Sequence, residues 1–301
     1  KGVVIDEINM YADMLPRHVQ DLIGELLYGD QPAGWKITGE KKNITAMSRA
    51  DFVQYKKEHY VPKATTIVVA GHVTEKEVLK EINKIFGNIK NTKKFSKVKV
   101  KEVQSKPKVL LKFKKTDQAH FVLAVRTFDM FHKSNPTLEV LAGVLGSGMS
   151  SRLFQRVREE LGVGYYVRAY SDSATDHGFL QISAGVDEKR IKEVLEAVLE
   201  ECRKLKTYEV SAEELNKTKE YLIGNMKLSL ESSDDIALFY GGQELLKKKI
   251  ISPEERALQI RKVKASDIQK LANEIFKDEK LNLALIGPYK SDKDFEKVLK
   301  F

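Results

Sequence analysis

The chain has 301 residues, 42% of them hydrophobic and 32% charged, with a formal net charge of +9. That composition suits a folded protein of roughly two domains and excludes an extended disordered chain. No apolar run is long enough for a membrane helix. The single cysteine, Cys202, excludes an intramolecular disulfide framework and a cysteine-built zinc site, and leans toward a reducing, cytoplasmic compartment.

The opening stretch, KGVVIDEINMYADMLPRH, already has helical spacing. At about 100° per residue, Val4, Ile8, Tyr11 and Leu15 fall on one stripe. Asp6 and Asp13 lie on the opposite face. Glu7 sits at the border of the apolar stripe, three residues after Val4 and four before Tyr11. A carboxylate turned toward an interior is costly unless it snorkels, pairs with a nearby Lys or Arg, or binds a metal.

Residues 44–73, ITAMSRADFVQYKKEHYVPKATTIVVAGHV, predict a capped amphipathic helix, a turn, and a buried apolar strand ending in Gly71. Residues 260–289, IRKVKASDIQKLANEIFKDEKLNLALIGPY, repeat that pattern without a gap at an offset of 216. Asp51 falls on Asp267, Phe52 on Ile268, Tyr60 on Phe276 and Gly71 on Gly287, with Ser48 and Ser266 as the expected helix starts. The same offset places Asn9-Met10 on Asn225-Met226 and Glu7 on Ile223. An apolar counterpart predicts a buried position for Glu7 and makes its charge a special feature of the first copy. The second copy begins near residue 108, and its first half has no counterpart in the chain, so roughly 110 residues of the first copy are expected upstream of Lys1.

Between the copies lies a Lys-rich stretch, with Lys90, Lys93, Lys94, Lys97, Lys99 and Lys101. It is read as a solvated linker rather than a nucleic-acid patch, because no aromatic interleaving or nucleic-acid motif accompanies it. Beyond it, AHFVLAVRTF and HGFLQISAGV predict strands, and NPTLEVLAGVLGSG predicts a helix that begins near Pro136 and ends near Gly146 and Gly148. Ile191, Val194, Leu195, Val198, Leu199, Cys202 and Leu205 form a long helical stripe. The expected fold class is α+β: two tandem homologous units of mostly antiparallel sheet with helices packed on it, the first unit incomplete. The segments are 1–88, the back half of unit one; 89–107, the linker; and 108–301, a complete unit two.

Several segments together resemble the pitrilysin/insulinase-type metallopeptidases, in particular their mitochondrial processing peptidase-like branch. They are KGVVIDEINMYADMLP, the run from LLYGDQPAGW to TTIVVAGHV, and GSGMSSRLFQRVREELGVGYYVRAYS. The resemblance covers nearly the whole chain. The family's zinc site is H-x-x-E-H with a further Glu ligand roughly 75 residues later. By resemblance Glu7 is that third ligand, and the His ligands and general base are expected upstream of Lys1. The stretch YKKEH has Tyr55 in place of the first His and lies elsewhere in the repeat, so His59 reads as a structural residue.

The resemblance also carries over Arg158 and Tyr165, seven apart in R-E-x-x-G-x-x-Y, as the pair that reaches from the second unit to grip the substrate backbone and stabilise the oxyanion. The structural alternative, which the resemblance outweighs, is Arg158 as a solvated helix residue and Tyr165 as a strand-packing aromatic. The implied function is zinc-dependent endopeptidase or oligopeptidase activity in a two-unit clamp, with zinc as cofactor and extended peptide added to a sheet edge. The implied partners are a peptide substrate and a homologous subunit or the missing half, with no nucleic acid and no membrane. The chain by itself is expected to be inactive. The alternative is a non-catalytic subunit or peptide-binding scaffold of the same fold.

Overall fold

The computed structural model describes residues 1–89, 96–247 and 249–301. Its helices in chain order are α1 (Gly2–Asp13), α2 (Leu15–Tyr28), α3 (Lys41–Ala46), α4 (Arg49–His59), α5 (Glu75–Phe86), α6 (Asn135–Gly146), α7 (Ile191–Thr207), α8 (Ala212–Leu228), α9 (Ser233–Leu246), α10 (Pro253–Arg261), α11 (Ala265–Ile275) and α12 (Lys293–Glu296). Its strands are β1 (Lys108–Phe113), β2 (Gln118–Arg126), β3 (Gly164–Ser173), β4 (Gly178–Asp187) and β5 (Leu281–Gly287).

Two compact units emerge. One comprises Lys1–Glu40, Lys99–Ile223 and Ala257–Phe301; the other comprises Lys41–Val98 and Gly224–Arg256. These units cut across the duplication segments 1–88, 89–107 and 108–301. The reason is packing: α2, from the first segment, buries against strands built by the third.

In the larger unit five strands form one sheet in the order β1-β5-β2-β4-β3. β1 and β5 run parallel, and the other neighbours are antiparallel. β2 and β5 lie inside the sheet and are covered on both faces. That explains why they read as continuous apolar runs instead of alternating ones. On one face α2 sets Val19, Leu22, Ile23 and Leu27 against Val122, Ala124, Ala284 and Ile286. On the other side of the strands point Phe121, Leu123, Leu283 and Leu285, all buried. The stripe expected on α7 is buried at every position from Ile191 to Leu205. α6 begins with Pro in its first turn, as expected, and its last residue, Gly146, approaches β3 closely. A Cβ there would sit 2.2 Å from the Ala169 amide nitrogen.

The repeat persists in the structure at the same offset. α4 matches α11 residue for residue, and the short turn Pro62–Ala64 matches Asp278–Lys280. Both helices start with the third-position carboxylate reaching back. Asp51 Oδ2 accepts from the Ser48 amide at 2.7 Å, and Asp267 Oδ2 accepts from the Lys264 amide at 3.0 Å. Ser48 is therefore the cap, as expected. Ser266 is not: α11 begins at Ala265, and Lys264, two residues before Ser266, occupies the cap position with Asp267 supplying the returning bond.

Three further expectations about the fold need correction. The opening helix stops at Asp13. Met14 breaks it with ψ 86°, so Leu15 begins α2 and is not the end of the first stripe. Residues 65–71 are not a buried strand. Ile67, Val68 and Val69 remain 40–48% exposed, whereas β5, their counterpart, is wholly buried between β1 and β2. Among the described residues, 65–71 have no flanking strands.

The linker is also not solvated throughout. Lys90, Lys93 and Lys94 lie outside the described residues, and Lys97, Lys99 and Lys101 are exposed. Its second half nonetheless docks on the larger unit. The Gln31 side chain bonds both backbone groups of Lys101, at 2.9 and 3.0 Å. Asp176 accepts from the Val100 amide at 3.0 Å, and Gln104 Nε2 donates to the Leu281 carbonyl at 2.9 Å. Arg126 Nε lies 3.2 Å from Glu102 Oε1, and Arg126 Nη2 donates to the Leu27 carbonyl.

Candidate functional site

Arg158 and Tyr165 come together around an irregular turn. Phe154–Glu160 is a π-helical turn, closed by the Leu161 amide donating to the Arg156 carbonyl at 3.1 Å. Such wide turns are rare and recur at functional sites. Gly162, with φ 65°, reverses the chain at its end, a conformation that side chains with a Cβ disfavour. β3 then starts at Gly164 and immediately bulges. Gly164 pairs with Val186 and Tyr166 with Gly185, which leaves Tyr165 without a partner on β4. A bulge re-aims the extra side chain, and Tyr165 is 56% exposed.

Arg158 closes the loop from the other end. Its Nη1 donates to the carbonyls of Gly164 at 2.8 Å and Tyr165 at 2.6 Å. The guanidinium also lies 5.8 Å from the Phe154 ring centre, within cation–π range. β3 is an edge strand of the sheet, so the exposed Tyr165 side chain and Arg158, which is bonded to the Tyr165 carbonyl, both lie at its rim.

Behind them lies a feature not legible from motif spacing. The Tyr166 hydroxyl is 3.2 Å from His120 Nδ1 on β2, and the two rings stack at 5.9 Å. The hydroxyl donates to an unprotonated Nδ1 or accepts from Nδ1–H, according to tautomer. Burial pushes the Tyr166 phenol up to about 12 and holds the His120 imidazole below its usual value, so both are neutral near pH 7. The bond spans β4 because Gly185 lies between them. A Cβ there would be 2.5 Å from Tyr166 Cε1 and 3.0 Å from His120 Nδ1.

Glu7 is placed differently from expectation. α1 has no buried residue and Glu7 is exposed, whereas its counterpart Ile223 on α8 is 2% exposed. No hydrogen bond or ion pair among the described residues joins Glu7 to Arg158 or Tyr165. Zinc needs at least three protein ligands. Among the described residues, no three His, Cys, Asp or Glu side chains could hold a metal together. Glu7 offers a single carboxylate, so these residues do not by themselves fit a zinc ion. His59 ends α4, where its Nδ1 lies 3.1 Å from the Tyr55 carbonyl and its ring stacks on Tyr55 at 4.0 Å. Among the described residues, no helix is long and apolar enough to cross a membrane.

Residues 46–222 match the family model described as the peptidase M16 inactive domain. The chain belongs to the M16 peptidase family. The zinc protease YmxG of Bacillus subtilis, itself uncharacterized, is 32% identical over 288 residues, covering 96% of this chain and 69% of that protein. A zinc protease of Mycobacterium leprae, likewise uncharacterized, is 28% identical and covers 100% of this chain and 68% of that protein. Among solved structures, a protease from Helicobacter pylori superposes with a TM-score of 0.85 at 22% identity, over 95% of this M16 chain and 70% of the other. An M16 inactive domain from Pseudomonas fluorescens gives 0.82 at 16% identity, over 96% and 70%. At those identities the likeness is one of fold.

Proposed function

We propose that this M16 chain is the substrate-gripping portion, with one metal ligand, of a zinc-dependent endopeptidase or oligopeptidase. In this reading residues 1–88 are the back half of the zinc-bearing unit, 89–107 the connection, and 108–301 the metal-free unit. Glu7 is the third zinc ligand, and the His ligands and general base come from a counterpart half of unit one. Zinc chemistry belongs to that completed site. The residues of this chain hold the peptide: the Tyr165 hydroxyl donates a hydrogen bond to the carbonyl oxygen as negative charge develops there, and Arg158 supplies a cation.

The observation that carries the reading is the rim of β3, where a bulge exposes a phenol and a guanidinium within one hydrogen-bonded loop. Two further features support it. The exposed Glu7 replaces the apolar residue of its repeat counterpart, and an exposed donor can be shared with ligands on another segment. The uncovered apolar stretch 65–71 offers the surface against which a counterpart half would complete a sheet.

Two measurements test the reading. Residues 1–301 alone should not cleave peptide, and chelator-sensitive cleavage by that chain would refute the division of labour. In the full-length protein Glu7→Gln should release zinc, read by metal analysis after dialysis. Full zinc retention by that variant rejects Glu7 as a ligand. A full-length protein that binds no zinc is the non-catalytic scaffold instead.

A further inference from the structure

We infer that Tyr166, Gly185 and His120 are positioning residues that, with Arg158, lock Tyr165 in its outward pose. The bulge at Tyr165 interrupts the β3–β4 ladder between Gly164 and Tyr166, so regular pairing does not fix that residue. Two other sets of contacts replace it. In front, a single Arg158 nitrogen gathers the Gly164 and Tyr165 carbonyls at 2.8 and 2.6 Å. Behind, the next side chain along the strand is pinned: Tyr166 lies over Gly185 and reaches His120 at 3.2 Å.

Gly164 and Tyr166 pair with adjacent residues of β4, so the usual alternation of faces is broken at the bulge and does not orient Tyr165. Its direction is set instead by how its two ends are held, Arg158 holding the carbonyls of Gly164 and Tyr165 and the anchored ring of Tyr166 fixing the next residue. The anchor needs three identities at once. Tyr166 must carry a hydroxyl, His120 a ring nitrogen, and Gly185 no Cβ, since a Cβ would fall 2.5 Å from the Tyr166 ring. Gly185 does not have a left-handed φ. The backbone accepts alanine there, and any effect of that change comes through the Tyr166 and His120 rings. None of the three residues has to touch substrate. They act through Tyr165, and Arg158 gains a role in holding the bulge besides its charge.

The catalytic consequence rests on the reading of Tyr165 proposed above, so the test separates the two. The full-length protein carries 3-fluorotyrosine at position 165, and its fluorine resonance is compared in the parent, Tyr166→Phe and Gly185→Ala. Tyr166→Phe keeps the ring and removes only the hydroxyl, which guards against a misfolded Gly185→Ala. The expected result is one narrow resonance in the parent, and a shifted or broadened one in both variants at unchanged global melting. Turnover on a quenched peptide should fall with the resonance change. A loss of about tenfold to a hundredfold in kcat is expected for Gly185→Ala, with KM within about twofold. An unmoved resonance in folded Tyr166→Phe and Gly185→Ala overturns the lock. A moved resonance with parental kcat upholds the lock and overturns the catalytic reading of Tyr165.

Discussion

Replacing Glu102 with Gln should loosen the docked half of the linker. The Glu102 side chain is 27% exposed and that of Arg126 only 10%, with 3.2 Å between Nε and the carboxylate. Removing one partner of a fully buried ion pair costs ~3–5 kcal/mol, because the other charge is left without compensation. Here glutamine keeps a dipole for Arg126, the Leu27 carbonyl still accepts from it, and water reaches the Glu102 side. Those effects reduce the expected loss to about 2 kcal/mol. For a unit of this size that corresponds to a fall of ~4–8 °C in melting temperature.

Circular dichroism melts at pH 7 read the loss. Brief trypsin treatment reads its location, since Lys97, Lys99 and Lys101 lie on the same strap. The double variant Glu102→Gln/Arg126→Met should recover much of the stability, because it leaves no lone buried charge. A Glu102→Gln protein that melts within about 1 °C of the parent and resists trypsin equally would refute the view that this pair anchors the strap.

Gly146→Ala places a Cβ 2.2 Å from the Ala169 amide, a backbone overlap that no rotamer change relieves, and should cost about 1–3 kcal/mol or more in a denaturant titration. His120 contributes a pH dependence. Burial lowers its folded-state pKa beneath the usual 6.5, so the unfolded chain takes up the proton first. Stability present above 6.5 is lost as the pH falls from there through the folded value. The melting temperature should therefore drop more steeply between about pH 7 and 5 in the parent than in His120→Asn, and equal slopes would show that His120 is not buried neutral.

The parts of the fold that were legible are those with local causes. The α7 stripe follows from helical spacing, and each of its seven positions is buried. The match of α4 to α11 follows from the repeat. Contacts between residues far apart in sequence left no such trace. The bulge at Tyr165 depends on pairing with β4, and the Tyr166–His120 bond crosses a third strand. The linker's lysines point to a solvated segment, yet Gln31, Arg126 and Asp176 hold it down, and nothing in its own composition announces them. Glu7 was expected near an interior because Ile223 is apolar. Burial of Ile223 depends on the elements packed around α8, and the described neighbours of α1 do not reproduce them.

The uncovered stretch 65–71 has a practical consequence for the chain in solution. Its sequence, TTIVVAG, joins high β-propensity with the absence of charge and proline, and among the described residues no strand flanks it as β1 and β2 flank β5. An extended segment of that kind is a template for the same segment of another molecule. Concentrated samples of residues 1–301 should therefore associate through it. A lysine in place of Val68 should act as a gatekeeper, keeping the chain dispersed at concentrations where the parent forms particles.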